Sequence, residues 1–365
     1  MPPSVLFIAD HLNTGGAPVV IRDLCVALRH VGAEVTLVVL SDRVTHTLPD
    51  SVQIHRLPYS PAGRWQRLHR YANHAKQLDR LLNDIDLSHD TLVVAHLHHA
   101  HQVVSRSSVS QRAWYCLHAD PDIGFLGKKT GLDRWRKCRK VHRLYNGKRL
   151  IGVSHGILES LSRVFNVQGT PGVGLHNPLD LKAITETSQQ VVDDVPDDYL
   201  LYVGRLDQRP KRFDRLLSAY KESGTTLPLV IIGKGSAQQF IEREVERLGL
   251  QGRVILLGHR ASPYAYMRQA RALLLSSDYE GFSLVLAEAL ACGTPCVSTD
   301  CPSGPREILT EELSRFLVPM GDVTAFAQAI NDVVETPPNV GVANVAHLEA
   351  EQVAQRYLKL QGAQD

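Results

Sequence analysis

The chain has 365 residues, 44% of them hydrophobic and 21% charged, which predicts a globular protein with two domains of ordinary size. Its formal net charge is only +2, so electrostatic binding to nucleic acid or to a membrane must come from local clusters. The first ten residues lack the basic start and the cleavage site of a secretory signal, and no apolar run approaches the about 20 residues of a membrane helix. We therefore expect a cytoplasmic protein whose six cysteines are reduced thiols, with neither a disulfide framework nor a zinc site.

The first half of the chain shows the alternation of a βαβ unit. An apolar run at 5–9 is followed by a polar loop with Gly15 and Gly16, a helical pattern that ends near Gly32, and a second apolar run at 35–40. Apolar strands joined by a helix are typical of a parallel sheet that is covered on both faces. Later strands in this half are predicted at 92–95, 113–117 and 150–153.

The same alternation restarts after an acidic stretch at 191–198, with a helix predicted at 240–248 and a terminal helix at 345–360. Its strands are predicted at 199–203, 229–232, 254–257, 272–275 and 295–298. Two such halves predict an α/β fold with two Rossmann-like, doubly wound domains that face a central cleft. The predicted domains are residues 1–178 and residues 179–344, with the helix in 345–365 packed back on the first domain.

The most informative stretch is 278–309, with the sequence DYEGFSLVLAEALACGTPCVSTDCPSGPREIL. It begins where a predicted strand ends, Gly281 allows a tight turn, and a helix follows. The helix N-terminus would lie at the carboxyl edge of a parallel sheet, where unpaired backbone N–H groups and the helix dipole bind anions such as a nucleotide diphosphate. The apolar positions that can face the sheet are Leu284, Val285, Ala289 and Leu290.

Two carboxylates lie eight residues apart in this stretch. Glu280 in the turn can accept hydrogen bonds from sugar hydroxyls, and Glu288 can clamp a ribose diol, because an ionised carboxylate accepts from two hydroxyls at once. The alternative is structural, with Glu280 stabilising the helix start and Glu288 a solvated helix residue.

A second cluster offers cations. Gly204 and Arg205 follow the predicted strand 199–203, and Lys211 and Arg212 precede a helix. Cations at the mouth of a cleft can neutralise a diphosphate as it becomes a leaving group. A solvated basic turn is the structural alternative.

With these residues the chain resembles the family 4 retaining glycosyltransferases of the GT-B fold. Their E-G-F-x-x-x-x-x-E-A pattern matches residues 280–289, and their A-C-G-x-P pattern matches residues 291–295. The following segment, 299–307, is similar to bacterial members that build surface glycans from UDP-sugars. The resemblance spans nearly the whole chain and is most specific in this stretch.

The resemblance implies a role for each of these residues. Glu288 would bind the ribose hydroxyls, and Glu280 would contact the donor sugar near its 3-hydroxyl. Arg205 and Lys211 would stabilise the departing diphosphate, but the loop between them is one residue longer than usual, so Arg209 and Arg212 remain alternatives to Lys211. Further donor contacts are implied at Gly15, Gly16, Gly204, Gly233, Gly235, Gly281, Phe282, Ser283 and Leu284.

Histidines suggest two further sites. His118 ends the predicted strand 113–117, where the family often places a histidine that touches the donor sugar; a purely structural histidine is the alternative. A second cluster suggests a metal site, but the family has a similar strand end and the sequence shows no nearby carboxylate partner, so we expect no metal. That cluster consists of His96, His98, His99 and His101.

A basic run occupies residues 128–149, with Asp133 as its only acidic residue. Trp135, Val141 and Leu144 add apolar points at helical spacing, so we interpret the run as an acceptor-side surface for an anionic membrane or glycan. A solvated helix face is the alternative, and DNA binding is disfavoured because no recognition motif accompanies the charge.

The resemblance therefore implies a retaining glycosyltransferase that needs neither a metal nor another cofactor. It would move a hexose or N-acetylhexosamine from a nucleotide-diphosphate sugar, expected to be a UDP-sugar, to a hydroxyl of a glycan or glycolipid in bacterial surface polysaccharide or lipopolysaccharide biosynthesis. The first domain would bind the acceptor and the second the donor, in the cytoplasm or at the cytoplasmic face of the inner membrane. A GT-B sugar-nucleotide epimerase and a non-catalytic sugar-nucleotide-binding subunit stay open as alternatives.

Overall fold

The computed structural model describes residues 2–13, 15–85, 87–168 and 172–361. The chain divides into two compact units. The N-terminal unit comprises the residues up to Leu179 together with those from Leu348 onward, and the C-terminal unit runs from Asp180 to His347. Within the described ranges, no helix is long and apolar enough to cross a bilayer.

The N-terminal unit contains a seven-stranded parallel sheet. Its strands are β1 (Ser4–Ala9), β2 (Glu34–Val39), β3 (Val52–Arg56), β4 (Leu92–His96), β5 (Trp114–Leu117), β6 (Arg149–Gly152) and β7 (Gly172–Gly174). The spatial order is β3-β2-β1-β4-β5-β6-β7, so the direction of winding reverses between β1 and β4. Ligands of doubly wound sheets bind at the carboxyl ends of the strands at this reversal.

The C-terminal unit repeats the plan with six parallel strands. They are β8 (Leu200–Val203), β9 (Leu229–Ile232), β10 (Val254–Gly258), β11 (Ala272–Leu275), β12 (Cys296–Thr299) and β13 (Leu317–Val318). Their order is β10-β9-β8-β11-β12-β13, which places the reversal between β8 and β11. The two sheets confirm the predicted Rossmann-like fold class.

Helices cover the sheets in both units. In chain order they are α1 (Gly16–His30), α2 (Arg64–Leu68), α3 (Arg70–Asp84), α4 (His98–Val104), α5 (Gly131–Tyr145), α6 (His155–Phe165), α7 (Leu181–Ser188), α8 (Gln208–Lys211), α9 (Phe213–Ser223), α10 (Gln238–Leu248), α11 (Tyr264–Gln269), α12 (Leu284–Ala291), α13 (Pro305–Ile308), α14 (Val323–Glu335), α15 (Val342–Val345) and α16 (Ala350–Leu358). A π-helical turn spans Asp122–Leu126, and 3₁₀ turns span Glu311–Phe316 and Ala346–Leu348.

The central strands form because their apolar runs are buried on both faces. Every residue of β4, β5, β9, β11 and β12 is buried. The predicted α1 pattern is also confirmed, since Val20, Leu24 and Leu28 share its buried face.

Three strands at or near the sheet edges are absent from the sequence prediction. In strand β3 only Val52 is buried and the other four residues are exposed or half-exposed, so the strand is not an apolar run. Strand β7 has three residues, of which two are glycines, and β13 has only two residues. Short or half-exposed strands have little hydrophobic periodicity in the sequence, so their formation depends on hydrogen bonding to neighbouring strands.

The prediction of one continuous terminal helix over 345–360 is wrong. The backbone at Leu348–Ala350 instead pairs with Leu179, whose N–H donates to the Leu348 carbonyl at 2.8 Å. The Ala350 N–H donates to the Leu179 carbonyl at 2.9 Å, and α16 begins only there. From this start α16 packs against α1 in the N-terminal unit.

Candidate functional site

The carboxyl edge of the C-terminal sheet brings Lys211 and Glu280 together, although they lie 69 residues apart in the chain. The Lys211 Nζ donates to the Glu280 carboxylate at 2.6 Å, and the Ser277 hydroxyl donates to the same oxygen at 2.6 Å. The two charged side chains are only 12% and 14% exposed. Since β8 and β11 are neighbours, the loops that follow them carry this ion pair at the reversal point of the sheet.

Backbone contacts hold these two loops in place. The Asp278 N–H donates to the Pro210 carbonyl at 2.8 Å, and the Ser276 hydroxyl donates to the Lys211 carbonyl at 2.7 Å. The Ser303 hydroxyl donates to the Glu280 carbonyl at 2.6 Å. The pair therefore sits on a rigid frame, which lets a site act without first reorganising.

The other candidate cations have different surroundings. The Arg212 guanidinium donates to Asp214 at 2.6 Å and to Asp278 at 3.0 Å. These contacts, with Asp214 as the largest cause, raise the pKa of Arg212. Arg205 is exposed and pairs with Asp207 at 2.8 Å, and Arg209 is exposed on α8. Of the three alternatives Arg209, Lys211 and Arg212, only Lys211 is paired with Glu280 in the described structure.

Helix α12 presents Glu288 on its half-exposed face together with Leu284 and Val285. The expectation that Leu284 and Val285 face the sheet is wrong, because the fully buried positions of this helix are Leu286, Ala287, Ala289, Leu290 and Ala291. The apolar residues of α12 cover more than one face, so periodicity alone could not assign the buried side. Glu288 is thus neither buried in the core nor fully solvated.

The residue before α12, Ser283, has a left-handed backbone with φ of 65°. Its hydroxyl oxygen is buried and has no hydrogen-bond partner among the described residues. Backbone strain and an unsatisfied buried oxygen are both costly, and such costs concentrate at ligand sites. The neighbouring Phe282 is buried and Gly281 is half-buried.

Two predicted glycines are required by close backbone approaches. A Cβ at Gly233 would lie 1.9 Å from the Gly204 carbonyl oxygen, and a Cβ at Gly235 would lie 2.4 Å from the Leu206 carbonyl oxygen. The loop after β9 therefore runs in direct contact with the loop after β8, which leads to Lys211. In the N-terminal unit, Gly15 precedes α1 and Gly16 is its first residue, with no such crowding.

His118 follows β5 in the N-terminal unit, and its Nε2 lies 3.0 Å from His96 Nδ1. Burial lowers the pKa of His118 to about 4, so its imidazole is neutral at pH 7. The sequence showed no partner for the His96 cluster, but the structure adds Cys116: ligand atoms of His96, Cys116 and His118 lie within 4.8 Å of one another. Burial raises the pKa of the Cys116 thiol to about 12, so a metal there would have to displace its proton.

Sequence reasoning missed Asp10, which follows β1 directly. It accepts N–H groups of His99 at 3.0 Å and Ala100 at 2.5 Å, and burial raises its pKa to about 6. It lines a pocket of about 400 Å³ together with His11, Arg43, Tyr59 and His99, among others. An acidic residue directly after a buried strand at the reversal point was the available signal.

Comparison with known proteins finds a family match over the segment that carries this site. The model of the family "Glycosyl transferases group 1" matches residues 183–344, the segment that carries Lys211, Glu280 and Glu288. Residues 183–344 are therefore similar to the group 1 glycosyltransferases, and the two sheets have the GT-B fold. The predicted resemblance is thereby confirmed.

Two of the relatives are bacterial glycosyltransferases. The chain is 29% identical over 332 residues to a Campylobacter jejuni N-acetylgalactosamine-N,N'-diacetylbacillosaminyl-diphospho-undecaprenol 4-alpha-N-acetylgalactosaminyltransferase, covering 89% of this chain and 88% of the relative. It is 33% identical over 190 residues to the Salmonella typhimurium lipopolysaccharide 1,6-galactosyltransferase, covering 50% of this chain and 52% of that one.

Solved structures share the fold over nearly the full length. The apo lipopolysaccharide outer core galactosyltransferase WaaB matches with a TM-score of 0.73 at 21% identity, covering 99% of both chains. Anabaena HepE in complex with UDP-glucose matches with a TM-score of 0.74 at 18% identity, covering 99% of both chains.

Proposed function

We propose that this glycosyltransferase moves a hexose or N-acetylhexosamine from a UDP-sugar to a hydroxyl of a glycan or glycolipid, with retention at the anomeric carbon. The observation that carries the proposal is the largely buried Lys211–Glu280 pair at the reversal point of the C-terminal sheet. A pair of this kind offers a cation for a diphosphate and a carboxylate for sugar hydroxyls within one small volume.

The proposed reaction needs no protein nucleophile and no metal. The bond between the anomeric carbon and the diphosphate oxygen breaks, the diphosphate leaves with the electron pair, and Lys211 and Arg205 offset its growing negative charge. The acceptor hydroxyl forms the new bond on the same face of the sugar, and its proton passes to the departing phosphate oxygen.

The remaining residues would bind and orient the donor. Glu280 would accept hydrogen bonds from the sugar, and Glu288 would hold the ribose diol from the half-exposed face of α12. The buried Ser283 hydroxyl would gain its partner from the donor. His118 would act as a neutral hydrogen-bonding group, since burial keeps its pKa near 4.

The choice of substrates rests on the relatives. HepE was crystallised with UDP, glucose and UDP-glucose, which supports UDP as the nucleotide. The Campylobacter relative acts on a diphospho-undecaprenol glycan and the Salmonella relative on lipopolysaccharide, which supports a lipid-linked acceptor of bacterial surface-glycan biosynthesis. We place the enzyme in the cytoplasm, at the inner face of the membrane that holds such acceptors.

A thermal-shift comparison of UDP-, GDP- and ADP-sugars tests the donor class. A ligand that binds the folded state stabilises it by mass action, by about 2.7 kcal/mol at 100 times its Kd. We expect UDP-sugars to raise the Tm by several degrees and the other two classes to raise it little. A larger shift with GDP- or ADP-sugars would show that the donor carries that nucleotide instead of UDP. No shift with any donor would contradict the proposal.

The basic run 128–149 is proposed to contact an anionic membrane, and the structure refines which residues are available. Val141 and Leu144 are buried and attach α5 to its own unit, so their predicted membrane role is wrong. Lys137 is half-buried 5.1 Å from the Phe125 ring, whereas Arg136, Arg139 and Lys140 are exposed. Only the exposed cations can reach lipid headgroups without distorting the helix.

Reversing Arg136, Arg139 and Lys140 to Glu should reduce binding to anionic vesicles, and the loss should be largest at low salt because exposed charges are screened by ions. Each lost cation is worth about 1 kcal/mol near such a surface. Co-sedimentation with vesicles at two salt concentrations measures the effect. Equal sedimentation of wild type and variant would leave the run as a solvated helix face.

A further inference from the structure

Helix α2 and the two residues after it have no buried side chain. Every residue from Arg64 to Arg70 is exposed, and Trp65 and Leu68 are 76% and 75% exposed. Trp65 stacks on His69 with the ring centres 4.9 Å apart, so the indole contacts its own helix rather than the core. A five-residue helix is not stable by itself in water. Its large apolar side chains add no hydrophobic stabilisation while they are exposed to water.

The charge around α2 has one sign. No acidic residue lies between Asp50 and Asp79, whereas this interval holds five cations, Arg56, Arg64, Arg67, Arg70 and Lys76. Of the ion pairs in the described part of the chain, none involves Arg64 or Arg67. The uncompensated charge complements an anionic surface, and arginine is well suited to phosphate oxygens.

The helix begins close to the pocket that contains Asp10. Pro58, Tyr59 and Ser60 line this pocket, and α2 starts four residues after Ser60, a distance of at most about 14 Å along an extended chain. The amide of Asn73 on α3 donates to the Tyr59 hydroxyl at 3.1 Å, which fixes the segment on its C-terminal side. A surface that docks α2 would therefore lie near the pocket mouth.

We propose that α2 docks the N-terminal unit on an anionic lipid bilayer. Trp65 and Leu68 insert at the boundary between headgroups and acyl chains, where tryptophan is favoured, and Arg64, Arg67 and Arg70 contact lipid phosphates. The contact proposed above for α5 uses its exposed cations alone, whereas the contact proposed for α2 combines apolar insertion with charge. The docking itself is independent of the proposed reaction, whereas delivery of a lipid-linked acceptor to the adjacent pocket rests on it.

The chain offers a matched control for this proposal. Helix α5 also exposes a leucine and a tryptophan, Leu132 and Trp135, at 71% and 54%. The test therefore compares wild type with two double variants, Trp65→Ser with Leu68→Ser and Leu132→Ser with Trp135→Ser. Neither pair is part of a sheet or core, so both variants should fold with wild-type Tm.

Co-sedimentation with vesicles of phosphatidylglycerol and phosphatidylcholine should separate the variants at about 0.5 M salt, where charge attraction is largely screened. The Trp65/Leu68 variant should lose at least about 10-fold in partitioning, and more than the Leu132/Trp135 variant. Wild-type partitioning by the Trp65/Leu68 variant, or no vesicle binding by the wild type, would overturn the proposal. Thermal shift with UDP-sugar should be the same in all three proteins, so failure of the docking proposal and of the proposed function can be told apart.

Discussion

Replacing Lys211 with Ala should lower the turnover of the glycosyltransferase by roughly 10²-fold or more, the typical loss of one preorganised charge-stabilising group. The affinity for UDP should change much less, because negative charge on the diphosphate grows as the bond to the sugar breaks. Steady-state kinetics give the turnover, and titration calorimetry with UDP gives the affinity.

Two neighbouring arginines provide the controls. Arg209→Ala removes an exposed cation from the same helix, α8, and should leave the turnover near the wild-type value. Arg212→Ala removes the cation paired with Asp214 and one of the two arginines paired with Asp278, and it should lower the Tm more than the Lys211 variant does. A 10²-fold loss of turnover in Arg209→Ala or Arg212→Ala, with Lys211→Ala active, would contradict the assignment of Lys211.

Replacing Glu288 with Ala should weaken UDP binding by about 10- to 100-fold, because a hydrogen bond to a charged group contributes about 1.5–3 kcal/mol. A ribose clamp acts equally before and during the reaction, so KM for the donor should rise while kcat changes little. Titration calorimetry with UDP measures the affinity directly. Glu246→Ala, at an exposed position of α10, is the matched control, and equal affinity in both variants would remove Glu288 from the nucleotide site.

Much of this architecture could be predicted because it depends on local patterns. Buried strands such as β4 and β11 are continuous or nearly continuous apolar runs. The turn after β11 could be predicted because Glu280 and Gly281 follow the strand. The assignment of Arg205, Lys211 and Glu280 to the donor site comes from the family resemblance, and in the structure the neighbouring strands β8 and β11 bring Lys211 and Glu280 to the same edge of the sheet.

The details of the site depend on contacts that no local pattern contains. The proposal of Lys211 rather than Arg212 rests in part on Asp278, which lies 66 residues from Arg212 and accepts a hydrogen bond from its guanidinium. The hydrogen bonds that Asp10 accepts come from the start of α4, some 90 residues away. The half-exposed position of Glu288 follows from which side of α12 meets the sheet, and an almost uniformly apolar helix does not reveal that side.

The most direct test of the central claim follows a sugar label through one reaction. The purified chain is incubated with UDP-sugars labelled in the sugar, together with lipopolysaccharide and polyprenyl-diphosphate glycans as acceptors, and both free UDP and acceptor-bound label are measured. The Lys211–Glu280 site predicts that UDP and labelled acceptor appear in equal amounts from the wild-type chain alone, with the anomeric configuration retained. Label that stays in the nucleotide fraction as an isomerised sugar would indicate an epimerase, and transfer only after a second protein is added would indicate a binding subunit; either result would contradict the proposed function.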